Sequence, residues 1–296
     1  MVMPISGLDR VTIAGRWAKA FIAPLQPGVD VLRVMSLRSM PGPWTDAPLP
    51  FDLQAGYQQE VNPYAWSRCA IFLAYLVSKG STDARIPGAI ALLRDKLAAF
   101  SENGLFQYRF AKTFTSGLKP TSAPWVSALG NAYIVAGALE LFVATQDNAW
   151  GEIAHRHVVP LMAQAADTDL VCIDASSWLW LEETPAVTRT TSATPERTHV
   201  LNGHVGALFV LYHWLQATGP DPVIDLHVRA AAATAATYYD RTRNPGAIMD
   251  YWLLDKTPDY GPVRAVNYVT ALGQITGNPI FSYLRDAFLT DVPVVK

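Results

Sequence analysis

The sequence predicts a mainly α fold, an incomplete (α/α) barrel or toroid of helical hairpins joined by short β-hairpins or extended aromatic loops. Three observations point there. Apolar stretches of helical length recur from residue 61 onward, each bounded by a capping residue, a proline or a glycine. The connections between them are aromatic and alternate with period two, as in Phe106, Tyr108 and Phe110, or Trp178 and Trp180. No β-branched strand precedes each helix and no glycine-rich phosphate loop is present, which disfavours a parallel sheet.

The elements follow in order. Residues 1–60 carry Pro4, Pro24, Pro27, Pro41, Pro43, Pro48 and Pro50 and read as a wrapping segment, with apolar positions at helical spacing only over residues 17–22. Residues 61–296 read as a single toroid domain. Asn62 can cap and Pro63 suits a first turn, so a buried helix spans residues 64–77 until Gly80 stops it. Further helices are expected over residues 87–100, 127–145, 150–165 (with a break or kink near Pro160), 203–216 and 222–238, and shorter ones over 267–275 and 279–288.

Composition excludes several classes. The chain has 296 residues, 50% of them hydrophobic and 16% charged, enough for a large core and too apolar for intrinsic disorder. Lys+Arg 23 against Asp+Glu 25 gives a net charge of −2 without a run of either sign, so a nucleic-acid partner is not expected. Charged residues are expected to interrupt every apolar run before the ~18 to 20 residues of a membrane span. Cys69 and Cys172 stand far apart without a Cys/His cluster and read as two buried thiols. No leader pattern is seen in residues 1–9, so a cytoplasmic location is expected. Neither a metal nor an organic cofactor is implied, and the sequence sets no oligomeric state.

Binding is expected at the aromatic connections, where Tyr57, Tyr108, Trp125, Trp178, Trp180, Tyr251, Trp252 and Tyr268 fall. Within residues 176–185, Glu182 and Glu183 stand beside two tryptophans, where loss of hydration would suit a carboxylate to acid–base work. Neighbours in an extended segment point to opposite faces, so one of the two should face a pocket and the other be paired or solvated. Asn202 is either the cap of the following helix or a holder of a substrate oxygen. His155 and His157 lie roughly 200° apart around a helix and make no metal site. His204, His213 and His227 read as core or surface groups, and Ser127 and Ser177 lack a nucleophile motif.

Taken together, these segments resemble the glucuronyl C5-epimerase family in its C-terminal helical domain. Val61-Asn62-Pro63, Leu118-Lys119-Pro120 with Pro124-Trp125-Val126-Ser127, Trp180-Leu181-Glu182-Glu183, Val200-Leu201-Asn202-Gly203, Tyr239-Asp240 and Asn267-Tyr268 are similar to that family's motifs and follow its order, over residues 57–288. The resemblance implies an incomplete (α/α) barrel that inverts C5 of a uronic acid, with the family glutamate at Glu183 and a tyrosine at Tyr268. Two family tyrosines fall on Thr184 and Met249, with Tyr251 shifted towards the second, and a family glutamine falls on Asn131. The family's β-rich N-terminal domain and a basic surface are not seen.

Three functions follow as expectations. The first is an isomerase or cyclase acting on a small, fairly apolar substrate in a biosynthetic pathway, with Glu183, Tyr268 and Tyr251 catalytic. Tyr57, Tyr108, Trp125, Ser127, Asn131, Trp178, Trp180, Asn202, Asp250 and Arg264 would then bind the substrate. The second is uronate epimerisation on a glycan, with Arg264 clamping the carboxylate. The third is a catalytically inactive binding module.

Overall fold

The computed structural model describes residues 8–13, 15–38, 58–113, 117–162, 170–245, 249–250, 253–254, 258–260 and 262–291. Its helices pair as inner and outer members of hairpins. The inner helices are α2 (Pro63–Ser78), α4 (Ala128–Thr145), α6 (Leu201–Thr218) and α8 (Pro262–Thr276); the outer ones are α3 (Ile86–Phe100), α5 (Asn148–Met162), α7 (Pro222–Tyr238) and α9 (Ile280–Asp291). Helix α4 packs against α2, α5 and α6, α6 against α7, and α8 against α9. Phe209 of α6 and Tyr268 of α8 meet edge to face at 5.2 Å. Tyr64 of α2 and Arg264, Asn267 and Tyr268 of α8 line one cavity.

Local signals set these helices. Asn62 caps α2 by accepting from the N–H groups of Tyr64 and Ala65, Asp221 caps α7 in the same way, and the Ser127 hydroxyl caps α4 through Gly130. Pro160 lies inside α5, and the helix runs on through it to Met162 without the break that is one of the two expected outcomes. Helix α8 begins at Pro262, five residues before the expected start at 267, which places Arg264 and Tyr268 one turn apart on it. Close approach of inner helices needs small residues: a β-carbon at Gly137 would strike Trp66 and Ala70 of α2.

The wrapping segment begins as a hairpin of β1 (Leu8–Ile13) and β2 (Arg16–Phe21), in register from Leu8↔Phe21 to Ile13↔Arg16. Residues 17–21, expected at helical spacing, therefore form a strand. It buries Ala18, Ala20 and Phe21 and leaves Trp17 exposed. Beyond it, the Gln26 N–H donates to the Ile275 carbonyl, the Tyr212 hydroxyl donates to the Gln26 carbonyl and Arg229 donates to the Phe21 carbonyl. A short helix α1 (Val31–Val34) then places Val31 and Leu32 in the main core with α4, α6, α7 and α8. The segment shares one core with the ring.

Length and apolarity alone would let α4 cross a membrane, contrary to the expectation from charge spacing. In this fold it is mostly buried between other helices.

The two ends of the ring differ. Inner helices turn into outer ones through tight links, with Gly80, Gln146, Gly219 and Gly277 at positive φ. Outer helices return to inner ones through hairpins: β3 (Ser101–Glu102) with β4 (Leu105–Phe106), β5 (Val171–Ile173) with β6 (Leu179–Leu181), β7 (Val187–Thr188) with β8 (Pro195–Glu196), and β9 (Met249–Asp250) with β10 (Pro258–Tyr260). The N-termini of all four inner helices therefore open onto the hairpin end, where long connections can build a site.

Candidate active site at the hairpin end

Glu182 and Glu183 leave strand β6 on opposite faces. Glu182 is 1% exposed. Its Oε1 accepts from His199 Nδ1 at 2.7 Å and from the Cys172 thiol at 3.4 Å, while Oε2 accepts from the His199 backbone N–H at 3.2 Å. Its backbone donates to Leu170 and accepts from Ala128, so it also ties the hairpin to the start of α4. Burial and the Glu182 carboxylate push the Cys172 thiol far up, which keeps it protonated.

Glu183 turns the other way, onto the first turn of α6. A β-carbon at Gly203 would overlap the Glu183 side chain, so glycine is what admits the carboxylate there. The N-cap residue of α6, Val200, offers no side-chain cap, and the positive dipole end of the helix favours a negative charge at this spot. The Glu183 charge also reaches Tyr268 and Lys112. Burial, with smaller contributions from Glu183 and Tyr64 set against Arg264, pushes the Tyr268 phenol up to about 12. At neutral pH that phenol keeps its proton.

Tyr268 lines a cavity of about 450 Å³ with Arg264, Asn267, Tyr64, Tyr133 and residues 34–36 at the end of α1. Tyr64 and Tyr133 meet edge to face at 5.3 Å. Lys112 lies over the Trp125 ring at 5.3 Å; burial holds its ammonium below the usual lysine range, and Glu183 offsets part of that. Sequence reasoning missed Lys112, Tyr64 and Tyr133, because one lysine in a loop and two tyrosines on apolar helices carry no pattern.

Several expected substrate-binding residues hold the fold together instead. Trp125 and Tyr108 are stacked on each other at 4.0 Å and 7°, and Trp125 Nε1 donates to the Phe110 carbonyl. Asn131 is fully buried: its Oδ1 accepts from Phe106 N–H, and its Nδ2 donates to the carbonyls of Gly104 and His157. Ser127 is the cap of α4. Trp178 has Lys19 over its ring at 4.3 Å and Tyr238 at its edge. Trp180 is fully buried among His199, His204 and Tyr238. Both strand faces are covered here, so the alternation that suggested an open aromatic wall reports core packing. Asp250 is buried and accepts from Asn244 at 2.9 Å.

Other candidates are placed differently. Asn202 is not the cap of α6; that position is Val200. Asn202 is 6% exposed, and its amide oxygen and nitrogen have no hydrogen-bond partner among the described residues. Thr184, at the position of a family tyrosine, is buried and shares a hydrogen bond of 2.7 Å with Thr198. Tyr57, Tyr251 and Trp252 lie outside the described residues. Both ring nitrogens of His204 are used, Nδ1 accepting from Leu181 N–H and Nε2 donating to the Ala231 carbonyl, and burial holds it at about 4.

The sequence model of the D-glucuronyl C5-epimerase C-terminus matches residues 101–290. The chain belongs to that family. Within this C5-epimerase-family match fall Lys112, Glu183, Asn202, Arg264 and Tyr268. Comparison with curated protein sequences gives no match. Among solved structures, a family 76 glycoside hydrolase from a bovine Bacteroides thetaiotaomicron strain aligns with 80% of this chain and 49% of its own. The identity is 11% and the TM-score 0.47. A family 76 mannosidase of Bacteroides thetaiotaomicron VPI-5482 aligns with 76% of this chain and 59% of its own, at 13% identity and a TM-score of 0.45. The C5-epimerase-family chain thus spans about half to three-fifths of the length of these structures.

Proposed function

We propose that the chain is an acid–base isomerase that inverts a carbon next to a carboxylate, with a uronic acid or a comparable small sugar acid as substrate. The observation that supports this reading is that Tyr268, whose phenol feels the Glu183 charge, lines one cavity together with Arg264. Glu183, ionised, takes the proton from the α-carbon, and the electron pair of that C–H bond passes into the carboxylate as an enediolate. Tyr268, kept protonated, gives its proton to the same carbon from the opposite face, and solvent restores both groups. Arg264 and Lys112 supply positive charge for the substrate carboxylate, whose charge grows as the enediolate forms.

Asn202 fits the same reading. A buried amide without partners costs about 1–3 kcal/mol, and a sugar hydroxyl or carboxylate oxygen would satisfy it. The polar lining of the cavity favours a carboxylated substrate over the fairly apolar one expected from the aromatic content of the sequence.

The test is incubation with uronate mono- and oligosaccharides in D2O, followed by NMR. Deuterium should appear at the carbon beside the carboxylate with the wild type and not with Glu183→Gln. A folded wild-type protein that exchanges no α-proton in any sugar acid would overturn the reading.

A further inference from the structure

We infer that Cys172, Glu182 and His199 form a binding site for one divalent transition ion of borderline softness, such as zinc. The sequence shows no metal-ligand spacing, because the three residues come from strand β5, the end of β6 and the loop before α6. In the fold, Cys172 Sγ, a Glu182 carboxylate oxygen and a ring nitrogen of His199 all lie within 4.8 Å of one another. Sulfur and carboxylate oxygen are 3.4 Å apart, and the same oxygen is 2.7 Å from Nδ1. Metal bonds of about 2.0–2.3 Å to N, O and S give ligand edges of roughly 3.2–3.7 Å. The sulfur edge already has that length, and the nitrogen edge needs only a small opening.

The donor set is a thiolate, an imidazole and a carboxylate, which suits zinc or cobalt better than magnesium or calcium. Thiolate and carboxylate together cancel a charge of two, and binding releases the thiol proton to solvent. Two features oppose the ion: the Arg197 charge felt at Cys172, and the buried setting that holds the thiol proton until the ion displaces it.

The ligands are held before any ion arrives. Cys172 is paired with Trp180 across the hairpin, and the Glu182 backbone is bonded on both sides. The imidazole lies flat on Trp180 at 4.2 Å and 21°, and His199 adopts a left-handed φ of 51°, a conformation uncommon for a non-glycine residue. Cys172 and Glu182 are buried, whereas the His199 side chain is 21% exposed and gives the route in. Three protein ligands leave a further coordination position for water. An ion here would brace the chain one residue before Glu183, although the site stands independently of the proposed isomerase activity.

The test is titration of Co2+ into metal-stripped, untagged full-length protein. One equivalent should bind with a thiolate-to-cobalt charge-transfer band, Zn2+ should abolish that band, and thermal stability should rise on binding. Cys172→Ala should remove the band, and His199→Gln should weaken binding by about a hundredfold, at least the loss usual for an outer-shell partner. A folded wild type that gives no charge-transfer band would overturn the inference, as would a band that persists in Cys172→Ala. Should Cys172→Ala fail to fold, an unchanged band and affinity in His199→Gln would overturn it equally.

Discussion

Gly203 lies so close against Glu183 that a single β-carbon at residue 203 would occupy the space of the glutamate side chain. This contact sets the Glu183 side chain against the first turn of α6. Gly203→Ala must therefore displace Glu183 or shift the helix. Overpacking of this kind costs about 1–3 kcal/mol, so the melting temperature should fall. Turnover on a sugar acid should fall more steeply than substrate affinity, because the base moves while Arg264 and Asn267 stay in place. Unchanged kcat in a folded Gly203→Ala protein would argue against a catalytic position for Glu183.

Tyr268→Phe removes a proton donor and leaves the ring contact with Phe209 intact. Loss of a positioned acid costs about 10²–10⁴-fold in rate, so kcat should drop by that factor with little change in KM or melting temperature. Steady-state kinetics beside a thermal melt separates this outcome from misfolding.

Asn131 fastens hairpin β3–β4 and the end of α5 to α4. Asn131→Leu would strand Phe106 N–H in the interior and take a donor from the Gly104 and His157 carbonyls. At about 1–3 kcal/mol per unsatisfied group, partly relieved by rearrangement, the loss should reach several kcal/mol in urea denaturation. A loss below about 1 kcal/mol would mean that the amide is not the fastening.

His157, like the buried His204 and His227, makes stability depend on pH. Burial, with the nearby Arg156 charge, holds it at about 4 against its ordinary 6.5, although its bond to the Ile153 carbonyl works in the opposite sense. The folded state keeps this ring neutral while the unfolded chain protonates it near 6.5. Its contribution is therefore complete above pH 6.5 and is lost as pH falls from 6.5 towards 4, by up to about 1.4 kcal/mol per pH unit. Urea midpoints at pH 7 and pH 5 measure it, and His157→Gln should flatten the slope.

Much of the ring is legible in the sequence because its signals are local. Asn62 with Pro63, Ser127, and Asp221 with Pro222 mark helix starts by capping chemistry that does not depend on the rest of the fold. The pairing of Glu182 and the turn of Glu183 to the other face likewise follow from strand alternation. Other features depend on contacts across the fold. Trp180 looks like a ligand platform until β5 and α7 cover it. Asn131 looks like a substrate contact until Gly104 and His157 close over it. Cys172 and His199, 10 and 17 residues from Glu182, meet it only when the hairpin folds back.

The account rests on Glu183 and Tyr268 serving opposite faces of one carbon, and exchange resolved by epimer tests that directly. Each epimer of a uronate substrate is followed separately in D2O with Glu183→Gln and with Tyr268→Phe. Tyr268→Phe should still exchange the α-proton of the epimer whose C–H faces Glu183, without inverting it, and Glu183→Gln should lose that exchange. Inversion by Tyr268→Phe, or wild-type exchange by Glu183→Gln, would contradict the account.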